Sequence, residues 1–372
     1  MQPRVGADGG TASIGEILTS FRRHRPIVVA DFESARVAQW REAGIDVHII
    51  PQSAFRGIRK DPIGTVASYW RYRRAIIRLV RESGAKVIHA NDPLALQLAL
   101  PAAKATGAAI AFNVRDTIDP ARKPPRRRYE LLFAATDHVF YLSQDMADRW
   151  ADIAPNAKRA CSVTYSIVDR ARFVPTPIPA DTPPVVLVSG LVRPKKGQLE
   201  FLRNVAPALA AEGVSIWIAG DFDPSASPYM AACAEAAAPL GERVRFLGYR
   251  SDVPDLMRKS TVVAVASRYE GLVRAMIEGM SCARPVVSFD ISSARELLEE
   301  KSGGAGSVVS FGDYPAMADA ILAFCNDPER ASKAGRKGQE TASRLFAPEK
   351  VVEQYERVYD ELEERSGGAA SR

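Results

Sequence analysis

Along the chain, short β-branched runs alternate with longer segments in which apolar positions recur every three or four residues. The short runs have the pattern of strands buried on both faces and the longer segments that of amphipathic helices, so their alternation predicts parallel sheets with helices on both sides. In the first half, Pro26–Asp31, Asp46–Ile50, Lys86–Asp92, Ala108–Val114 and Val139–Ser143 read as strands. Helices are expected over Ser34–Ala43, stopped by Gly44, and over Tyr69–Ser83, Leu94–Thr106 and Gln144–Ile153. The alternation breaks at Pro175–Pro184, PTPIPADTPP, a stretch nearly unable to form a helix. It then resumes with strands at Val185–Ser189, Val214–Ala219, Val244–Leu247, Val262–Ala266, Val286–Ser288 and Val308–Val309. Helices are expected at Leu199–Ala211, Asp255–Lys259, Gly271–Arg284, Ala316–Cys325 and Pro348–Glu364.

The pattern predicts two doubly wound α/β domains, 1–175 and 185–346, joined by a proline-rich linker at 176–184. The last helix, 347–365, carries an apolar stripe of Val351, Val352, Tyr355, Val358, Tyr359 and Leu362 suited to docking. Residues 366–372 lack such a stripe and are expected to be disordered. Near the other end, a glycine loop, Gly6–Thr11, leads into a helical pattern through Ile14, Ile17, Leu18 and Phe21. Only Met1–Val5 precede that loop, so the first strand of the first domain is expected to be truncated or missing.

Composition is that of an ordinary globular protein, 47% hydrophobic and 25% charged, with no apolar run of membrane-spanning length and no signal-peptide core. Four scattered cysteines, Cys161, Cys233, Cys282 and Cys325, form no CxxC pair and are expected as buried free thiols in a reducing cytoplasm. The four histidines are not spaced as metal ligands, and no metal is expected. The net charge of +6 is uneven: residues 1–175 hold 27 lysines and arginines against 17 acids. Arg22–Arg25, Arg71–Arg74 and Arg126–Arg128 form the basic clusters, the last in a segment, Arg122–Arg128, expected to be an exposed loop. Such clusters suit an anionic acceptor or peripheral contact with the inner membrane face, or are simply solvated. Nucleic-acid binding is not expected, because no known module accompanies them.

The stretch SRYEGLVRAMIEGMSCARPVV, Ser267–Val287, carries the most chemistry. A strand, a tight loop and a helix follow one another there, with Glu270 in the loop and Glu278 in the helix. A helix start beside glycine exposes backbone N–H groups that suit a diphosphate, and carboxylates suit sugar hydroxyls. The loop Gly190-Leu191-Val192-Arg193-Pro194-Lys195-Lys196-Gly197 is a second glycine-bounded turn after a strand.

At these two loops the chain resembles the retaining GT-B glycosyltransferases, in particular glycosyltransferase family 4, whose signature is a Glu-x7-Glu pair. The resemblance implies two Rossmann-like domains facing a cleft. It implies transfer of a sugar from a nucleotide donor, UDP- or GDP-linked, to a glycan, a lipid-linked or a small-molecule acceptor, without metal or further cofactor. It assigns Lys196 to the donor diphosphate, with Arg193 as a possible partner, since Leu191 stands where the family carries an arginine. Glu270 would hold the transferred sugar and Glu278 the ribose. The amides of Gly271, Leu272 and Val273 would face the diphosphate beside Gly190, and Gly248 and Tyr249 would flank the base. Gly10, in the first glycine loop, and Arg115, where the family often carries a histidine, would belong to the other wall of the site.

These departures leave a second class open, a degenerate GT-B protein that binds nucleotide or glycan as a scaffold. A nicotinamide dehydrogenase is disfavoured, because Gly6–Gly10 does not supply GxGxxG after a strand.

Overall fold

A computed structural model describes residues 9–51, 62–115, 117, 124–179 and 183–369. They form two compact units: one from the chain up to Ile167 together with Pro348 onward, the other from Val168–Ala347.

In the first unit, β1 (Ile27–Ala30) pairs in parallel with β2 (Asp46–Ile49). A second parallel sheet has the order β3 (Val87–Ala90), β4 (Ala109–Val114), β5 (His138–Tyr141), β6 (Cys161–Val163). Every residue of β4 is buried, which is why this strand shows no alternation in the sequence. Asp92 ends the β3 loop as a helix cap, its carboxylate accepting from the N–H groups of Leu94 and Ala95 at 2.8 Å. The C-terminal helix Pro348–Ala369 belongs to this unit, and its Val351, Val352, Tyr355, Val358 and Leu362 pack with Ile17, Ala109, Ala111, Phe140 and Ile167.

In the second unit, β7 (Val185–Ser189), β8 (Ser215–Ala219), β9 (Val244–Gly248), β10 (Val262–Val265), β11 (Val286–Phe289) and β12 (Gly306–Val309) form one parallel sheet. Its order is β12-β11-β10-β7-β8-β9.

Several expectations need correction. Gly6–Asp8 and the question of a first strand lie outside the described residues, whereas Gly9 and Gly10 are already helical, in Gly9–Leu18. The Arg122–Arg128 loop lies partly outside the described residues, and Arg126–Arg128 open a helix, Arg126–Ala134, that begins once two prolines have passed. The single helix expected at Leu199–Ala211 is two, Gln198–Asn204 and Ala206–Ala211, because Pro207 has no N–H for a continuous ladder. Ser366–Ala369 are helical rather than disordered, since an established helix extends without an apolar stripe. A polar helix, Pro328–Leu345, stands where no element is expected.

The two units divide at Ile167–Val168, ahead of the proline-rich stretch, whose described residues belong to the second unit. Arg284, fully buried, helps hold them there. Its guanidinium donates to the carbonyls of Thr176 and Pro177, the Thr176 hydroxyl, and the carbonyls of Met257 and Arg258, at 2.7 to 3.1 Å. Burial without a carboxylate partner lowers its pKa to about 10. The four cysteines are free thiols, three of them buried. Among the described residues no helix is long and apolar enough to cross a membrane.

Candidate active site

The chain builds its second sheet outward from β7 to β9, returns to the other side of β7, and builds outward again through β10. Loops leaving the carboxyl ends of β7 and β10 therefore part in opposite directions, and such a switch point is where open α/β sheets form a binding crevice. Gly190–Gly197 leaves β7 and Ser267–Val273 leaves β10.

Backbone contacts lock the two loops together. The Arg268 N–H donates to the Lys195 carbonyl at 2.8 Å. Gly197 adopts φ +70°, and a Cβ there would lie 2.0 Å from the Ala266 carbonyl oxygen, so only glycine lets the first loop close on the end of β10. A Cβ on Gly220 would likewise meet the Gly190 carbonyl oxygen at 2.0 Å, which fixes how closely the ends of β7 and β8 approach.

This frame brings Lys196 Nζ to 2.7 Å from Glu270 Oε1. Lys195, which no sequence signal singles out, places its Nζ 3.8 Å from Glu270 Oε2 and 4.9 Å over the Tyr269 ring. The Glu270 side chain is only 10% exposed, while the two lysines are 29% and 27% exposed. A mostly buried carboxylate thus holds two ammonium groups at the mouth of the switch point. Gly190 lies against the Lys196 side chain, where a Cβ would sit 3.6 Å from Cε.

The helix after this loop starts at Arg274, three residues later than expected, and Gly271, Leu272 and Val273 are buried and non-helical before it. Ser292 provides a reason: at φ +44° its hydroxyl donates to the Gly271 carbonyl, occupying an acceptor that an earlier helix start would use. Val273 caps the helix with no side-chain hydrogen bond, so no capping oxygen competes for the first-turn N–H groups. Glu278 and Arg274 pair at 3.0 Å, so Arg274 turns toward the carboxylate. No periodicity could have revealed Ser292, which acts across 21 residues.

Gly248 ends β9 at φ +68°, its carbonyl accepting from Gly220 N–H, and Tyr249 beside it is 72% exposed. Arg193 stands exposed on the outer turn of its loop. Its backbone N–H points to Gln198, whose side-chain amide donates to the Leu191 carbonyl. Gly190, Lys196 and Glu270 are thereby gathered at one point, with Glu278 farther along the following helix. Gly10 and Arg115 belong to the first unit. Arg115 follows β4, where its charge adds to burial in holding His89 neutral. His89 sits with Nδ1 2.5 Å from the Tyr359 hydroxyl.

Two Rossmann-like parallel units, one with cationic and glycine-bounded loops at its switch point, have the GT-B fold. Residues 182–327 match the family described as Glycosyl transferases group 1, and residues 10–165 match Glycosyl transferase 4-like domain. The chain belongs to the group 1 GT-B glycosyltransferases of the family 4-like type. Among similar proteins, the lipopolysaccharide core biosynthesis mannosyltransferase LpsB of Rhizobium meliloti (strain 1021) is 32% identical over 34% of this chain and 36% of its own length. The alpha-D-kanosaminyltransferase of Streptomyces kanamyceticus is 26% identical over 66% of this chain and 59% of its own. The chain therefore spans about a third to three fifths of these two relatives. In fold it is similar to Anabaena Alr3699/HepE, solved in complex with UDP, with a TM-score of 0.81 at 20% identity over 97% of this chain and 98% of that one.

Proposed function

We propose that this protein transfers a glycosyl group, with retention of configuration and without a metal, from a UDP- or GDP-sugar to a glycan, a lipid-linked or a small-molecule acceptor. The observation that carries the reading is the Lys196–Glu270 pair at the switch point, with Lys195 beside it. Breaking a sugar–phosphate bond moves negative charge onto the departing diphosphate, and fixed cations at that position lower the barrier. Lys196 supplies that charge, the amides of Gly271, Leu272 and Val273 face the phosphates, and Glu270 accepts from a hydroxyl of the transferred sugar. Glu278 accepts from the ribose hydroxyls, while Gly248 and Tyr249 flank the base. The acceptor oxygen attacks the anomeric carbon from the face the diphosphate leaves, the anomeric C–O bond to phosphate breaks, and the acceptor proton passes to the departing phosphate oxygen. No protein nucleophile is required.

Names of the relatives support the reading, since those proteins are described as sugar transferases. The test is incubation of the full chain with UDP-, GDP- and ADP-sugars, with and without EDTA, following transfer or donor hydrolysis and assigning product configuration by NMR. Turnover unchanged by EDTA, with retained configuration, is the expected result. Donor binding with no turnover on any donor sinks the enzyme reading, and an inverted product sinks the stereochemical one.

A further inference from the structure

The helix Pro62–Ser83 of the first unit uses one face for its own fold: Ser68, Tyr72, Ile76 and Val80, four residues apart, are buried. The opposite face divides along its length. Its first turns present Ile63, Val66, Ala67 and Trp70, and its later turns present Arg71, Arg74, Arg78 and Arg81, all exposed. Ile63 is 83% exposed, Val66 47% and Trp70 48%. Single exposed apolar residues are ordinary, but a stripe of them at helical spacing is not. The helix carries five arginines and one acid, Glu82, and Arg78 already pairs with that acid at 2.7 Å. Arg73 lies over the Trp70 ring at 4.9 Å, keeping a further cation beside the apolar end.

We propose that this face docks on an anionic lipid bilayer, with Ile63, Val66 and Trp70 entering the interfacial layer and Arg71, Arg74 and Arg81 meeting the lipid phosphates. Charge complementarity and the shape of the face select this occupant. The apolar residues project from a convex helix, as an in-plane interfacial helix requires, and the indole suits the boundary between head groups and acyl chains. A nucleic acid would engage the arginines but gain little from Ile63 and Val66. The proposal goes beyond sugar transfer and does not depend on it.

The test is flotation of the full chain with vesicles of phosphatidylcholine alone and of phosphatidylcholine with one third phosphatidylglycerol, at low salt and at high salt. Binding to the anionic vesicles alone, weakened by salt, is expected, together with a blue shift of tryptophan fluorescence that is absent in Trp70→Phe. Each arginine near such a surface is worth about fivefold in partition. Arg74→Glu with Arg81→Glu should therefore lower partition by at least about tenfold, and so should Ile63→Ser with Val66→Ser and Trp70→Ser. Circular dichroism and urea unfolding confirm that the variants are folded. The proposal is overturned if the wild-type chain does not bind anionic vesicles, or if both folded variants bind as it does. It is equally overturned if the serine variant only dissolves a dimer, or if single-stranded RNA binds this face more tightly than the vesicles.

Discussion

Replacing Lys196 by methionine removes one charge at the switch point and keeps most of the side-chain volume. Two unit charges about 4 Å apart at an effective dielectric near 20 interact by about 4 kcal/mol. Loss of one fixed charge-stabilising group in an active site costs about 2.7–4 kcal/mol of transition-state stabilisation, which slows turnover roughly a hundred- to a thousandfold. The folded state loses far less. Lys196 is 27% exposed, and Lys195 remains 3.8 Å from Glu270 Oε2 to balance the carboxylate. A partly exposed pair of this kind is worth about 1 kcal/mol or less, a shift of roughly 2–4 °C in Tm for a unit of this size.

The decisive comparison sets turnover on the best wild-type donor against Tm by calorimetry. Turnover slowed by roughly a hundred- to a thousandfold, with a nearly unchanged Tm, is expected. The reasoning is refuted if Lys196→Met turns over within about fivefold of wild type, or if activity falls only in step with a Tm drop beyond about 10 °C.

Gly197→Ala should abolish donor binding measured by calorimetric titration while leaving the protein folded, because the new Cβ would sit 2.0 Å from the Ala266 carbonyl and push the Lys196 loop off β10. Unchanged affinity would show that the loop's closure on β10 does not matter. Arg284→Met takes the guanidinium donor from the carbonyls of Thr176, Pro177 and Arg258, and should lower stability in urea by about 3–5 kcal/mol. A loss under about 1 kcal/mol would contradict the account of Arg284 as the anchor of the proline-rich stretch. His138, chiefly through burial, has its pKa lowered to about 4 from 6.5, so the unfolded chain binds the extra proton first as pH falls. Stability should therefore decline between about pH 6.5 and pH 4 and change no further on this account below it, and His138→Phe should flatten that part of the urea-midpoint profile.

The strands of the second unit were legible because each is a short β-branched run buried on both faces, and β7 matches the expected bounds at Val185–Ser189. Glu270 and Lys196 stand out in the sequence because their glycine-bounded loops after such strands resemble the family's, and the structure brings the two side chains together. The helix Pro328–Leu345 was not. It is largely polar and contains Gly335 and Gly338, which argue against a helix in isolation. The structure explains one of them: a Cβ on Gly335 would lie 2.2 Å from the Ala283 carbonyl oxygen, so the glycine permits a close helix approach. Arg284 reads as a polar residue closing a helix before Pro285, yet it is fully buried, because its partners come from residues 107 and 108 positions away. Ser292 escapes notice for the same reason. What a side chain reaches across the fold leaves no local pattern.

The departure at Leu191 takes on a different meaning in three dimensions. As sequence it removes a cation from the diphosphate loop, which favours a degenerate protein. In the structure Leu191 offers its carbonyl to Gln198, a buried side chain that braces the loop. Lys195 brings a second ammonium within 3.8 Å of Glu270. It is held there by its own carbonyl, which accepts the Arg268 N–H from the facing loop. The cation count at the switch point is thus restored by a neighbouring residue in the same turn. The two lysines share one carboxylate, so two ammonium groups stand beside Glu270, as the proposed transfer requires of this site.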